Sequence, residues 1–456
     1  MKINDENREK LLAELDAWYD KQAEKTDKDL FDAVVFKKLY KQLLSENAYI
    51  DWDRWKFISE DVQRNFDDLP VFERAKTDVL DRLVVIKLNG GLGTTMGCKN
   101  AKSFIEVKDG HSFLDLAIAQ NEAFNKKYNA KIPLLLMDSF NTFADTREKL
   151  QGRNVRQFEQ SRCPRVYSDT FLPVEEEAER WYPPGHGNIF ASLEFSGELD
   201  RLLAEGRDII FVSNIDNTGA VIEPRIAQFF SEIGAEYAME CTPKTQADIK
   251  GGTLIEIGNH IMHLEIPQVP PEHLDDFCST KVFKIFNTNN IWVNLRAVKK
   301  NLEQIRSEII VNKKKLSNGR EVIQLETSIG GSIKAFDHAY CIHVPRSRFL
   351  PVKKTDDLLA LASDLYELQP DFSLKLSVDS APLITLPSHL QLLSGFRNAF
   401  PEYPKMRELR SLSVEGDVCF EADVTLKGNV QIKAEPGAKL IVPRGATIED
   451  QVYTGK

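Results

Sequence analysis

The chain has 456 residues, of which 42% are hydrophobic and 28% are charged, and its formal net charge is −10. This length is enough for two or three domains with a sizeable core, and the composition is typical of a soluble globular protein. The acidic charge excludes a general nucleic-acid-binding protein, because such proteins concentrate positive charge on one surface.

The cysteines and the apolar runs indicate the cellular context. The six cysteines form neither a C-x-x-C pair nor a zinc-type spacing with histidine, which predicts reduced thiols. The first ten residues are too charged for a secretory signal, and no apolar run approaches membrane length. We therefore expect a cytoplasmic protein with no membrane partner.

Residues 1–75 are charged and have the pattern of helices. Apolar residues recur at helical spacing from Leu11 to Tyr19 and again from Leu30 to Leu43, which predicts two amphipathic helices. Thr26 and Asp29 have the spacing of a capping box at the start of the second helix. No catalytic set of residues occurs here, so we interpret this region as a packing or regulatory lobe.

Residues 76–385 alternate between apolar strand-like runs and longer helical patterns, which predicts an α/β domain with a mostly parallel sheet. A helix is predicted over 113–119, and strands are predicted over 83–88, 132–137, 208–213 and 283–286. Active sites in such sheets lie beyond the carboxyl ends of the strands, so the residues after these strands are candidates for function.

A glycine-rich loop follows the first of these strands and carries two lysines. Its residues include Leu88, Asn89, Gly90, Gly91, Gly93, Gly97, Lys99 and Lys102. Glycines let backbone N–H groups approach a bulky anion such as phosphate. Walker A and dinucleotide patterns both fail on spacing, because neither lysine directly follows a glycine and Met96 occupies the third glycine position. A phosphate loop and a flexible turn both remain open on these residues alone.

Three further segments carry candidate polar groups. Gln160, in the segment Phe158–Arg165, offers a donor and an acceptor together, with a solvated surface glutamine as the alternative. In Trp181–Gly187, two prolines and two glycines predict a rigid turn that presents a backbone and an imidazole. Asp216, just after the predicted strand 208–213, suits a hard cation such as Mg²⁺, with an Asx turn as the alternative.

Beyond residue 386 the apolar residues recur every six positions. This period predicts short parallel β-helix coils, because an antiparallel strand would alternate every two residues. The recurring residues form two series, Leu412, Val418, Val424 and Val430, and Val414, Phe420, Leu426, Ile432 and Ala438.

The segment Leu88–Ser103 closely resembles the nucleotide-binding loop of the eukaryotic-type UTP–glucose-1-phosphate uridylyltransferase family. The family usually has Gly-Pro where this chain has Asn100 and Ala101. The resemblance spans nearly the whole chain and is weakest over 1–75. The other matching blocks are Phe158–Arg165, Trp181–Gly187, Lys244–Thr253, Phe286–Asn290, Ile323–Ser328 and Val344–Lys354.

The resemblance implies a fold and a reaction. The fold is a Rossmann-like nucleotidyltransferase domain with a mixed sheet over 76–385, an N-terminal helical lobe over 1–75 and a C-terminal left-handed β-helix over 386–456. The reaction is transfer of a uridylyl group from UTP to glucose 1-phosphate with Mg²⁺, which gives UDP-glucose and pyrophosphate by direct in-line displacement. No protein nucleophile is needed, so catalysis consists of positioning and charge neutralisation.

The resemblance also implies roles for individual residues. Those implied to be catalytic are Lys102, His186, Asp216 and Lys353, with Asp216 as the Mg²⁺ ligand. Those implied to bind substrate are Leu88, Asn89, Gly90, Gly91, Gln160, Gly185, Asn214, Asn287 and Asn289. Within this set, Gln160 and Gly185 are expected to select uracil, and Asn287 and Asn289 are expected to line the glucose pocket.

Two other functions remain open at this point. One is a pyrophosphorylase that takes another sugar 1-phosphate, which a comparison of sugar phosphates in one assay would separate. The other is a non-catalytic UDP-sugar sensor, which we expect to have lost a charged site residue, whereas Lys102, Asp216 and Lys353 are all present. The coils after residue 386 expose an end that can pair or stack, which predicts that the C-terminal region either mediates self-association or docks against the catalytic domain.

Overall fold

The computed structural model describes residues 5–22, 25–45, 49–305 and 309–455. Parts of the predicted N-terminal lobe (1–4, 23–24 and 46–48) and residue 456 of the predicted tail lie outside these ranges. The helices are α1 Asp5–Asp20, α2 Asp27–Ser45, α3 Val79–Arg82, α4 Phe113–Tyr128, α5 Phe143–Lys149, α6 Glu177–Arg180, α7 Ile189–Phe195, α8 Glu198–Ala204, α9 Pro224–Glu232, α10 Leu274–Cys278, α11 Leu295–Asn301, α12 Thr355–Ala362 and α13 Leu393–Ala399.

The strands of the first two-thirds of the chain are β1 Gln63–Asn65, β2 Leu83–Leu88, β3 Glu106–Lys108, β4 His111–Ser112, β5 Leu134–Asp138, β6 Val155–Glu159, β7 Cys163–Pro164, β8 Val166–Tyr167, β9 Trp181–Tyr182, β10 Ile209–Asn214, β11 Tyr237–Pro243, β12 Thr253–Ile257, β13 His260–Leu264 and β14 Ile285–Asn294. The remaining strands are β15 Ile309–Lys315, β16 Glu321–Thr327, β17 Ala339–His343, β18 Tyr366–Leu368, β19 Leu374–Leu376, β20 Leu383–Thr385, β21 Lys405–Glu415, β22 Asp417–Phe420, β23 Thr425–Lys433, β24 Lys439–Val442, β25 Thr447–Glu449 and β26 Val452–Tyr453.

The chain divides into two compact units that each combine distant segments. The first unit contains Met1–Gly90, Lys131–Ser213 and Glu223–Arg346. The second unit contains Gly91–Ala130, Asn214–Ile222 and Ser347–Lys456. The chain passes from the first unit to the second within the glycine-rich loop, and again directly after Ser213. Domain boundaries near residues 75 and 385 stay a prediction.

An eight-stranded mixed sheet forms the centre of the first unit, which confirms the predicted fold class. Its strand order is β1-β17-β11-β14-β10-β2-β5-β6. The pairs β2/β5, β5/β6, β11/β17 and β1/β17 are parallel, whereas β14 runs antiparallel to both β10 and β11. All six residues of β2 are buried, as their apolar, partly β-branched sequence predicts for a central strand.

The sheet register explains why polar residues collect at one edge. Leu88 pairs with Met137, and Met137 pairs with Phe158, so β2, β5 and β6 end side by side. The start of antiparallel β14 lies beside the end of β11, with Asn287 opposite Cys241. The predicted strand 283–286 was therefore too short, because the polar run after Phe286 continues as a ten-residue strand.

The N-terminal helices confirm the predicted pattern and belong to the first unit. Thr26 and Asp29 form the predicted capping box, in which the Asp29 N–H donates to the Thr26 hydroxyl and the Thr26 N–H donates to the Asp29 carboxylate. The apolar faces of α1 and α2 pack against buried residues of β7, β9 and β16. This burial secures both helices, because an isolated helix of such length is marginally stable in water.

The C-terminal part of the second unit consists of parallel strand pairs, as the six-residue period predicts. Leu412 pairs with Val430 and Val414 with Ile432, so one coil spans three periods. The predicted period is wrong at its last member, because Ala438 is exposed. The chain turns at Gly437, where φ is 79°, and the next buried apolar residue is Leu440. Within the described ranges, none of the helices has the length and apolar content to span a bilayer.

Candidate active site

Asn89, directly after β2, is buried and held on several sides. Its N–H donates to the Met137 carbonyl at 2.8 Å. Its side-chain Nδ2 donates to Asp138 Oδ1 at 2.7 Å and to Thr146 Oγ1 at 3.1 Å. Because the amide nitrogen is occupied, Oδ1 has a fixed direction, and this buried oxygen has no hydrogen-bond partner among the described residues. Asn89 therefore presents an acceptor that a ligand can satisfy.

Asp138, at the end of β5, supports this arrangement and was missed by the sequence reasoning. Its Oδ2 accepts from Gln157 Nε2 at 2.8 Å, and Thr142 Oγ1 also donates to its carboxylate. Burial raises the pKa of Asp138 to about 6, against the hydrogen bonds from Gln157 and Asn89, which lower it. The available signal was the rule already used for Asp216, since Asp138 directly follows a predicted strand.

Gly90 and Gln160 are brought into contact, as residues of one binding site should be. A Cβ atom added at Gly90 would lie 2.3 Å from Gln160 Nε2, so only glycine leaves this amide in place. The Gly90 carbonyl accepts from Ser139 Oγ at 2.8 Å. Gln160 is 4% exposed, and its Oε1 is buried without a hydrogen-bond partner among the described residues.

The turn around Gly185 presents an uncharged histidine. Gly185 has a φ of 85°, and a Cβ atom there would lie 2.6 Å from the Thr327 carbonyl. The N–H of Ile329 donates to His186 Nδ1 at 3.1 Å, so the neutral imidazole carries its proton on Nε2. Burial lowers the pKa of His186 to about 4. His186 is therefore a hydrogen-bond donor at neutral pH and not a cation.

Asn287 and Asn289 are linked to two residues that the sequence reasoning missed. Asn287 Nδ2 donates to His263 Nε2 at 3.1 Å, and His263 Nδ1 lies 3.3 Å from Glu265 Oε1. Asn287 Oδ1 accepts from the N–H of Asn289 at 2.7 Å, and Asn289 has a left-handed φ of 58°. A β-bulge in the β11/β14 pair, between Met239 and Cys241, accommodates this conformation. The role of His263 depends on tertiary contacts alone, so no local sequence signal could reveal it.

The charged candidates belong to the second unit. Lys102 forms an ion pair with the carboxylate of Asp216, and about a fifth of each side chain is exposed. Gly93, with a φ of 62°, leaves room for the stem of Lys102, since a Cβ atom there would lie 3.1 Å from Lys102 Cγ. The N–H of Val352 donates to the Asp216 carbonyl at 3.3 Å, and Lys353 follows directly. This unit therefore brings Lys102 and Asp216 together.

Asp216 has the chemistry of a magnesium ligand. No group of three or more acidic, histidine or cysteine side chains that could hold a metal occurs in the described part of the chain. Mg²⁺ in nucleotide enzymes is commonly held by one or two carboxylates together with substrate phosphates. A single carboxylate paired with one ammonium group fits that pattern, because a phosphate group can replace the carboxylate as the partner of the lysine.

The predicted site residues are divided between the two units. The first unit holds Leu88, Asn89, Gly90, Gln160, Gly185, His186, Asn287 and Asn289. The second unit holds Gly91, Lys102, Asn214, Asp216 and Lys353. Their roles in binding and catalysis stay predictions.

A mixed α/β sheet with a glycine-rich loop directly after the buried strand β2 is typical of nucleotide-binding enzymes, the class that includes the nucleotidyltransferases. The comparisons with known proteins give the family. The model of the UTP–glucose-1-phosphate uridylyltransferase family matches residues 33–427. This chain therefore belongs to the UTP–glucose-1-phosphate uridylyltransferase family.

Two individual relatives match this chain over at least 91% of its length and over 91% of their own. The UTP–glucose-1-phosphate uridylyltransferase of Saccharomyces cerevisiae is 44% identical over 471 residues, covering 100% of this chain and 91% of the relative. The protein of the same name from Hordeum vulgare is 46% identical over 430 residues, covering 91% of each.

Solved structures from Leishmania major are also similar. One, from a study of open and closed structures of UDP-glucose pyrophosphorylase, has a TM-score of 0.86 and 31% identity, covering 97% of this chain and 99% of that chain. A variant of the same enzyme in complex with UDP-glucose has a TM-score of 0.84 and 32% identity, covering 93% and 96%.

Proposed function

We propose that this chain transfers a uridylyl group from UTP to glucose 1-phosphate. A phosphate oxygen of glucose 1-phosphate forms a new bond to the α-phosphorus of UTP, and the bond from that phosphorus to the bridging oxygen breaks. The products are UDP-glucose and pyrophosphate. Beyond family membership, the observation that carries this proposal is the unpartnered, buried Oε1 of Gln160 next to Gly90.

Gln160 is proposed to read the base. Uracil carries an N–H donor on its ring edge, and a buried acceptor such as Gln160 Oε1 gains a hydrogen bond from it. Cytosine presents an acceptor at that ring position, and a purine has a different edge and size. Because a buried unpaired acceptor is costly, Gln160 penalises each of these alternatives.

Asn89 is proposed to help hold the nucleotide. Its Oδ1 is another buried acceptor that lacks a hydrogen-bond partner in the described ranges. The backbone of the loop, including Leu88, Gly90 and Gly91, is proposed to contact the nucleotide with N–H and C=O groups.

His186 is proposed to meet the phosphate of the sugar substrate. Its Nε2 carries the proton, because Nδ1 accepts from the N–H of Ile329. A neutral N–H group can donate a hydrogen bond to an anionic phosphate oxygen without neutralising its charge. His186 therefore orients the phosphate and leaves its oxygen nucleophilic.

Lys102 and Lys353 are proposed to neutralise the triphosphate. Lys102 pairs with a carboxylate oxygen of Asp216, and an anionic phosphate oxygen can replace that carboxylate as its partner. Asp216 would then hold Mg²⁺, and Asn214 in the same segment would bind substrate. When bound, this ion supplies positive charge to the phosphate oxygens. Lys102 and Lys353 stabilise the charge that develops as pyrophosphate leaves.

Asn287 and Asn289 are proposed to line the sugar pocket. Asn287 uses one Nδ2 hydrogen on His263 and one Oδ1 lone pair on the Asn289 N–H, so the second hydrogen and second lone pair are available in fixed directions. Such oriented amides suit sugar hydroxyls.

On the basis of the sequence alone, we also propose a cytoplasmic location and self-association through residues 386–456.

The test is a pyrophosphate-release assay with the purified full-length chain, Mg²⁺ and a panel of sugar 1-phosphates. We expect turnover with UTP and glucose 1-phosphate, and much lower kcat/KM with ATP, GTP or CTP. Higher kcat/KM with galactose 1-phosphate or N-acetylglucosamine 1-phosphate would reassign the sugar. A kcat/KM with ATP comparable to that with UTP would refute uridylyl transfer. No turnover with any pair of nucleotide and sugar 1-phosphate would favour the non-catalytic UDP-sugar sensor.

A further inference from the structure

The start of helix α2 contacts the segment that carries Gln160. Lys28 Nζ donates to the Gln160 carbonyl at 3.2 Å. The same ammonium lies 2.7 Å from Asp32 Oδ1 and 3.5 Å from Glu159 Oε1, so two carboxylates hold it in place. All of these residues belong to the first unit.

A second contact joins the same two segments. The guanidinium of Arg162 donates to Asp29 Oδ1 at 2.8 Å, and Asp29 is the residue that caps α2 together with Thr26. The guanidinium also lies over the ring of Trp181, with 4.5 Å to the ring centroid. The cap of α2, the Gln160 segment and the start of the Gly185 turn are therefore connected.

The peptide group that follows Gln160 is held at both of its polar atoms. Lys28 holds the carbonyl oxygen of Gln160, and Asn188 Oδ1 accepts from the N–H of Ser161 at 2.7 Å. On the other side, the Gln160 N–H donates to the Asp138 carbonyl at 2.8 Å. These three bonds restrain the backbone on both sides of Gln160 and so fix the position and direction of the Cα–Cβ bond from which its buried side chain starts.

We propose that Lys28 is a positioning residue for uracil recognition, so that helix α2 is part of the nucleotide site and not only a packing element. This inference rests on the proposed role of Gln160 as the reader of the base. A hydrogen bond to the base weakens with small errors in angle and distance, so a group that locks the Gln160 peptide improves UTP binding without contacting UTP.

Packing alone does not require the ammonium of Lys28. Helix α2 is docked by buried apolar side chains, among them Phe36, Leu39 and Tyr40, which lie further along the helix. Lys28 is about a quarter exposed, so replacing its ammonium by a methyl group leaves the apolar face intact. We therefore expect Lys28→Met to keep the helix in place while freeing the Gln160 peptide.

Helix α2 also provides a matched control. Lys37 forms an ion pair with Asp16 of helix α1 at 2.5 Å and has similar exposure to Lys28. Lys37→Met removes an ion pair from the same helix at a position whose described ion-pair partner lies outside the Gln160 segment. The pair is more exposed than that of Lys28, because Asp16 is 60% exposed and Asp32 only 4%, so this variant is a control for the kinetics and not for stability.

The experiment measures steady-state kinetics and melting temperature for full-length Lys28→Met, Lys28→Arg, Lys37→Met and Gln160→Ala. We expect Lys28→Met to raise KM for UTP by roughly three- to tenfold, the range for losing one ordinary hydrogen bond, because Lys28 acts on UTP only through Gln160. Its preference for UTP over CTP should fall, while KM for glucose 1-phosphate stays close to that of Lys37→Met. The melting temperature should fall further than that of Lys37→Met, because Asp32 is buried whereas Asp16 is exposed. Lys28→Arg should restore UTP binding, because a guanidinium can donate to the same carbonyl.

Three results would overturn the inference. If Lys28→Met and Lys37→Met have equal kinetics while Gln160→Ala has a raised KM for UTP, the role of Lys28 is overturned and the uracil assignment of Gln160 stands. A lower melting temperature with uniform loss for both substrates, not rescued by Lys28→Arg, would make Lys28 purely structural. An active wild-type enzyme in which Gln160→Ala keeps its KM for UTP and its preference over CTP would overturn the uracil assignment as well.

Discussion

The two compact units contribute different kinds of chemistry to the proposed function. The candidate contacts of the first unit are neutral amides and an uncharged imidazole, Asn89, Gln160, His186 and Asn287. The charged candidates Lys102, Asp216 and Lys353 all lie in the second unit, which also holds the neutral candidates Gly91 and Asn214. Hydrogen bonds depend steeply on angle, whereas charges attract over a longer range and in every direction. We therefore expect the neutral groups to recognise shape and the charged groups to neutralise phosphate.

The supporting contacts differ in the same way. In the first unit the side chains of Asn89, Asn287 and His186 are each held by one or two specific hydrogen bonds, with partners such as Asp138, His263 and the Ile329 N–H. In the second unit Lys102 and Asp216 satisfy each other in a partly exposed pair. Four experiments test this difference, beginning with the largest expected effect.

Lys102→Met should abolish most of the activity. It removes a proposed phosphate contact and leaves Asp216 without its cation, so kcat/KM should fall about 10²- to 10³-fold, or about 3–4 kcal/mol of transition-state stabilisation. Lys99→Met, an exposed lysine of the same loop, is the control and should retain activity. Similar losses for both variants would mean that general loop charge, and not the Lys102 position, carries the effect.

Asp138 should show its burial in the pH dependence of stability. Its pKa is raised from 3.8 to about 6 in the folded chain, so the folded state binds more protons than the unfolded state between these values. Its contribution to the free energy of unfolding should therefore decrease as pH rises from 4 to 6, by at most about 3 kcal/mol. Urea denaturation of wild type and Asp138→Asn across this range measures the difference. Parallel stability curves would contradict the prediction.

Gly90→Ala should weaken UTP binding without unfolding the chain. The new Cβ would lie 2.3 Å from Gln160 Nε2, which is the end of a flexible side chain, so Gln160 moves and the backbone does not. We expect KM for UTP to rise roughly tenfold, about the effect of one lost buried hydrogen bond. Gly91→Ala is the comparison, since a Cβ there meets no atom of the described residues within 4 Å. A larger effect at Gly91 would indicate that substrate fills that space.

His263→Phe should affect the sugar substrate selectively. It removes the acceptor that orients Asn287, so KM for glucose 1-phosphate should rise roughly threefold to tenfold while KM for UTP changes little. His260→Gln, at an exposed position of the same hairpin, is the control. If both substrates are affected equally, the Glu265–His263–Asn287 chain supports the fold and not the sugar pocket.

The strand positions were predictable because a short run of apolar residues in the local sequence indicates a buried strand. Strand β2 has the predicted bounds, since a short apolar run between a helix end and glycines has one plausible state. Strand β14 was truncated in the prediction, because four polar residues in succession, Asn287–Asn290, look like a loop. Contacts from Glu240 to Asn290 and from His263 to Asn287 satisfy these residues inside the sheet.

The sequence by itself determined the class of sheet, the two N-terminal helices, the parallel coils and the family, because periodicity and motifs are local properties. Only the tertiary structure decided which groups support the site. Asp138 reaches Asn89, His263 reaches Asn287 and Lys28 reaches Gln160 across long separations in the chain. It also decided that His186 is neutral, since the N–H of Ile329 and burial together assign its tautomer and lower its pKa. These properties arise from desolvation and hydrogen-bond direction, which exist only once distant segments have packed.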